Sequence, residues 1–171
     1  MTEREQLELF ALRLGKLLLN LLSIEMLVRT ILDKEEAINN LPKFEAGERV
    51  KLSQLTNTDT LTQVLTTYNA AYNNKVDIDK IVPLRDAIAH GRLFGYGPRE
   101  VDGSLRLVKF KHDKTPKNKT PKNKTPKNEA EVECSVKMNK EWFDENLQYL
   151  QGVVNNLSTS HGWGTFPIKG A

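Results

Sequence analysis

The sequence predicts a mainly helical fold, an up-down bundle of four to five helices with an antiparallel β-hairpin inserted before the last helix. Three observations predict it. Apolar residues near the start of the chain recur at spacings of three and four, the period of a packed helix. Two segments within residues 104–138 turn strand-like, the second, Glu131–Met138, alternating cleanly. From Asn139 onward the helical period returns.

The first helix is expected over residues 3–33, with Leu7, Phe10, Leu14, Leu17, Leu21, Ile24, Val28 and Ile31 as its seam. A second stripe of Leu12, Leu19 and Met26, with Leu9 and Leu22 beside it, lies nearly opposite. Two apolar faces imply either a central position in the bundle or a contact with another protein chain. Pro42 and Gly47 break the pattern. Thr58 or Asn57 then suits the cap of a second helix, whose face is Leu61, Val64, Leu65, Tyr68, Ala71 and Tyr72. A third helix is expected to hold Pro83 in its first turn and to stop at Gly91, which leaves roughly two turns.

The hairpin comprises a strand around Ser104–Lys111, with a phase slip at Leu107/Val108 that suggests a bulge, and a strand over Glu131–Met138. Antiparallel pairing would set Glu131 and Glu133 beside Lys109 and Lys111. Cys134 falls on the regular, apolar face as a small core residue. The tip, 112–129, holds three copies of Lys-Thr-Pro-Lys-Asn, beginning at Lys114, Lys119 and Lys124. Such a unit has no apolar residue, so it reads as a flexible loop. It could grip nucleic-acid phosphates, although no aromatic is interleaved for stacking, or be a solvated product of repeat expansion. Asn139 caps the last helix, with Phe143, Leu147, Leu150, Val154 and Leu157 on its face.

The 171 residues fit a single domain, 1–157, followed by a loose tail, 158–171, rich in glycine. Residues 109–128 contain eight Lys and one Asp, a net of +7, whereas the whole chain is +3, so the remainder is −4. The pI of 8.9 therefore belongs to one short stretch and does not describe a basic face spread over the fold. A lone cysteine excludes an internal disulfide, and three scattered His with one Cys argue against a zinc site. No metal or cofactor is expected. The acidic opening lacks the basic region of a secretory signal, and Asn20, Glu25 and Arg29 interrupt the apolar stretch after Leu17, so a cytoplasmic protein without a membrane span is expected.

Chemistry, if the chain performs any, concentrates in Leu84-Arg85-Asp86-Ala87-Ile88-Ala89-His90-Gly91. Arg stays charged and forks onto phosphate oxygens, and His titrates near neutrality. The same residues also admit a structural role, with Arg85 pairing with Asp86 or another carboxylate and His90 bonding a free helix-end carbonyl. Arg85-x4-His90 at the end of a short helix, with a polar residue directly after the Arg, resembles the signature of the HEPN superfamily. These are small helical proteins, many of them ribonucleases of toxin–antitoxin, phage-defence and RNA-processing systems. A long first helix, a motif helix ending His-Gly and a closing helix extend the resemblance. The family commonly has Asn after the Arg, and Asp86 is among the accepted alternatives.

The resemblance implies a metal-independent endoribonuclease acting as a homodimer on RNA and restrained by a cognate antitoxin protein. Its alternative is a non-catalytic module that binds RNA, a nucleotide or a partner protein through the same cleft. Arg85 and His90 would be the catalytic pair. Residues five apart differ by roughly 140° around a helix, whereas Asp86 and His90 share a face, so Asp86 is a candidate orienter of the imidazole. Arg92 and Tyr96 either line the same cleft or are ordinary loop residues.

Overall fold

The computed structural model describes residues 2–33, 46, 49, 53–95, 105–111 and 130–164. Among them are four helices and one antiparallel three-stranded sheet. In chain order these are α1 (Glu3–Leu32), α2 (Leu61–Ala71), α3 (Ile78–His90), β1 (Arg92–Phe94), β2 (Arg106–Phe110), β3 (Val132–Lys137) and α4 (Lys140–Ser160). Contacts divide the chain into two compact units, Met1–Val82 with Phe143–Ala171, and Pro83–Trp142. No helix of the described residues is long and apolar enough to cross a membrane.

In the first unit α1 begins at a capping box, where the Thr2 hydroxyl accepts from Glu5 N–H and the Glu5 carboxylate accepts from Thr2 N–H at 2.7 Å. Leu17, Leu21, Ile24, Val28 and Ile31 of the expected seam are buried. The opposite stripe of Leu12, Leu19, Leu22 and Met26 is exposed, Leu22 at 63%. The α1 seam packs on α4, where Phe10 meets Phe143 edge to face at 5.5 Å, and on α2, whose Leu61, Val64, Leu65 and Tyr68 are buried.

The cap of α2 is Thr60, not Thr58 or Asn57. Its hydroxyl accepts from Gln63 N–H and its own N–H donates to the Gln63 side chain at 2.8 Å. Asn57 is used elsewhere. The Arg29 guanidinium, 8% exposed, donates to Asn57 Oδ1 at 2.7 Å, to the carbonyls of Gln54 and Asp59 at 3.0 and 2.6 Å, and to Glu25 Oε1 at 3.0 Å. One buried cation thus ties the end of α1 to the loop that leads into α2, and every one of these acceptors is oxygen.

The third helix is longer than the sequence suggests. Asp77 caps it, with Oδ1 accepting from Lys80 N–H at 3.1 Å and its carbonyl accepting from Ile81 N–H. Pro83 therefore lies inside the helix, sixth in line, where it has no N–H to give the Asp79 carbonyl. Asn69 clamps the preceding loop, its amide bonding both the N–H and the carbonyl of Val76 at 2.8 Å.

Asn139 caps α4 as expected, accepting from Trp142 N–H at 3.0 Å. This helix continues to Ser160, past the expected boundary at 157, because Ser158 is buried and returns its hydroxyl to the Val154 carbonyl. Beyond it His161 packs its ring edge to face on Tyr72 at 5.2 Å and lies 5.9 Å from Trp163. Residues 165–171 of the expected tail lie outside the described residues.

In the second unit the sheet runs β1-β2-β3, all antiparallel. The sequence suggested a two-stranded hairpin, and β1 is the added strand, only three residues long. Its register pairs Arg92 with Val108 and Phe94 with Arg106. The bulge lies at Lys109/Phe110, with Glu133 as the additional residue of β3, and not at Leu107/Val108. Leu107 and Val108 keep regular pairing with Val136 and Ser135. Leu107 is buried inward while Val108 takes the outer face, so two adjacent apolar residues imitate a phase slip. The expected pairs form, with Lys109 Nζ 2.9 Å from Glu133 Oε1 and Lys111 bonded to Glu131. Cys134 is half-buried opposite Lys109. The Lys-rich tip, 112–129, lies outside the described residues.

Candidate functional site

The motif residues Arg85, Asp86 and His90 all belong to the second unit. They occupy the last two turns of α3, and the contact that fixes those turns is at Gly91. Gly91 N–H donates to the Ala87 carbonyl at 2.7 Å. A Cβ on Gly91 would stand 2.6 Å from Leu107 Cδ1 and closer still to the Ala87 carbonyl oxygen. The glycine is required by close approach of helix end and strand rather than by a left-handed turn, since its φ is not positive. Leu107 in turn is buried beneath the helix end with Ala87. The helix that bears the motif is thereby seated on the inner face of β2.

From that seat Arg85 and Asp86 reach each other. Arg85 Nη1 lies 3.1 Å from Asp86 Oδ1, with Arg85 exposed and Asp86 half-buried. An exposed pair of this kind contributes little to stability, about 0–1 kcal/mol. Among the described residues it occupies one of the guanidinium's five donors. Lys109, on the inner face of β2, stands near the same carboxylate. Its hydrogen bond to Glu133 raises its pKa above 10.5, and the charges of Glu133 and Asp86 add to the effect. Two ion pairs thus lie in this unit, Arg85 with Asp86 on the motif helix and Lys109 with Glu133 between two strands.

His90 is the last residue of α3 and is exposed. Among the described residues His90 has no hydrogen-bond partner. Asp86 turns to Arg85 and not to His90, so the carboxylate–imidazole pairing expected from their spacing is not the arrangement present. Arg92, two residues on, belongs to β1, with its guanidinium carbon 5.5 Å from the centre of the Phe110 ring. It is a strand residue and not a loop residue, because pairing with Val108 fixes it. Tyr96 lies outside the described residues.

Sequence reasoning missed Lys109 as a neighbour of Asp86 and missed Phe94 and Phe110 as neighbours of Arg92. The alternation Arg92-Leu93-Phe94 was the available signal for the second group, but three residues are too few to establish a period. For Lys109 there was no local signal, because its approach to Asp86 depends on the helix end seating at Gly91. No three of the described His, Cys, Asp or Glu side chains gather as a metal-holding group. In comparisons with known families, curated proteins and solved structures, no match to this chain is found.

Proposed function

We propose that the chain is a metal-independent endoribonuclease of the HEPN type. It works as a cytoplasmic homodimer in a toxin–antitoxin or phage-defence setting, with its helices forming a HEPN-like bundle. The observation that supports this best is the exposure of Arg85 and His90 together at the end of a helix that Gly91 seats against a strand. An exposed His without a partner is available for proton transfer, and an Arg with most of its donors unspent is available to a phosphate.

The chemistry is transesterification. The ribose 2′-oxygen attacks phosphorus while a base removes its proton, and the bond to the 5′-oxygen breaks as an acid protonates it. The products are a 2′,3′-cyclic phosphate and a 5′-hydroxyl. His90 supplies a proton-transfer group, and Arg85 forks onto the equatorial oxygens as negative charge builds. One imidazole does not serve as both acid and base in a single step, so the reading calls for a second copy. The exposed stripe Leu12, Leu19, Leu22 and Met26, about 21 Å long on α1, supports a dimer. Gly15 lies in the same heptad seam, where among the described residues nothing stands within 4 Å of a Cβ built on it. That glycine costs α1 about 1 kcal/mol relative to alanine and leaves room for a neighbouring helix.

A second reading has its own support. Asp86 engages Arg85 and leaves His90 without an orienting carboxylate, which favours a non-catalytic module that binds RNA, a nucleotide or a partner protein through the same residues. Induction of the wild type and of His90→Ala in a bacterial host separates the two. The ribonuclease arrests growth and His90→Ala relieves the arrest at equal protein level. Equal growth with both would leave the binding module as the better account.

A further inference from the structure

We propose that the outer face of the sheet is a platform for single-stranded RNA, built around Phe94. The register places Arg92 and Phe94 of β1, Arg106 and Phe110 of β2, and Lys137 of β3 on one face, opposite the face that buries Leu107. Phe94 is 45% exposed, and its ring meets Phe110 edge to face at 6.2 Å. Arg92 lies over the Phe110 ring, and Arg106 stands directly across from Lys137. The only acid within the three strands, Glu133, is tied to Lys109, which belongs to the other face.

An exposed sheet face whose strands contribute aromatic rings and cations matches two properties of an unpaired nucleic-acid strand. Its bases offer flat rings for stacking, and its phosphates bridge neighbouring cations. The chain joining β2 to β3 carries the Lys-Thr-Pro-Lys-Asn repeats, so further positive charge is tethered to the ends of the same strands. The stacking groups absent from the repeat are thus present on the strands that bear it. The platform also adjoins the motif, since Arg92 follows His90 by two residues and their Cα atoms are at most about 7 Å apart. The choice of RNA over DNA rests on the ribonuclease reading; the platform itself does not.

The test uses the full chain carrying His90→Ala, so that RNA stays intact, and a fluorescein-labelled unstructured RNA of about a dozen nucleotides, a length one such surface can hold. Anisotropy in EDTA is expected to show binding that Phe94→Ala weakens about tenfold and Phe94→Tyr leaves within about twofold. Arg92→Ala with Arg106→Ala should lower the slope of log affinity against log salt by about 1.4. Melting temperatures report whether each variant is folded. Binding by Phe94→Ala within twofold of its parent, or none by the parent, overturns the platform. Equal affinity for DNA of the same sequence overturns the assignment to RNA. If Phe94→Ala loses binding while the wild type leaves RNA uncut, the ribonuclease reading fails and the platform stands. If the wild type cuts and Phe94→Ala binds unchanged, the reverse holds.

Discussion

Replacing Gly91 by alanine tests how the motif helix is fixed. The added methyl would meet two things that differ in their ability to yield, Leu107 Cδ1 at 2.6 Å and the backbone carbonyl of Ala87. Leu107 is buried, so its side chain has little room to retreat. Overpacking of this kind costs about 1–3 kcal/mol. Alanine returns about 0.4–1 kcal/mol by restricting the unfolded chain. The net loss is then about 1–2 kcal/mol, a fall in Tm of about 2–8 °C for a chain of this size. Thermal unfolding of four proteins (wild type, Gly91→Ala, Leu107→Ala and the double variant) reads it as a cycle. Leu107→Ala alone loses about 2–5 kcal/mol. With Leu107 truncated, Gly91→Ala should cost less than it does in the wild type, because one of the two clashes is gone. Gly91→Ala melting at or above the wild type, or strictly additive losses, would refute the close approach as the reason for the glycine.

Three further outcomes are expected. Arg29→Met keeps the apolar stem but takes the guanidinium donor from the Gln54 and Asp59 carbonyls, while Asn57 Oδ1 retains the Asp59 N–H. It should lose about 3 kcal/mol in urea unfolding, and a loss under about 1 kcal/mol would show the guanidinium to be dispensable. Tyr68 is fully buried, and among the described residues its hydroxyl has no hydrogen-bond partner. Tyr68→Phe should therefore be at least as stable as the wild type at pH 7. Burial, then the neighbouring Tyr72, raises the Tyr68 pKa above 10.0. The folded state thus holds the proton more tightly, and its contribution is complete below pH 10 and lost as pH rises through the raised value. Tyr68→Phe should flatten the alkaline fall in stability, and an unchanged slope would contradict this. Leu19→Glu with Leu22→Glu should convert a dimer to monomer in sedimentation without lowering Tm, and a dimer that survives would remove α1 as its interface.

The sequence made the long-period elements legible and obscured the short ones. α1 and α4 carry their apolar seams over 30 and 21 residues, long enough for the period to declare itself. The start of α3 was misread because Pro83 is the strongest punctuation in that stretch, while the true cap, Asp77, is an ordinary residue in a loop that Asn69 organises from a distance. Thr60 displaced Thr58 as the cap of α2 because Asn57 and Asp59 are drawn to Arg29, a contact between residues some thirty positions apart. At the site, the pairing of Arg85 with Asp86 was visible as a local possibility. The influence of Asp86 on Lys109 was not, because it depends on the approach of β2 to the helix end at Gly91. The second face of α1 was legible as a face, and its Leu12, Leu19, Leu22 and Met26 are exposed.

The most direct measurement of the central claim is incubation of purified protein with total RNA in EDTA, beside Arg85→Ala and His90→Ala variants matched for Tm. The account predicts cleavage by the wild type alone, leaving 2′,3′-cyclic phosphate and 5′-hydroxyl ends. Cleavage that persists in His90→Ala, or RNA left intact by all three, would contradict it.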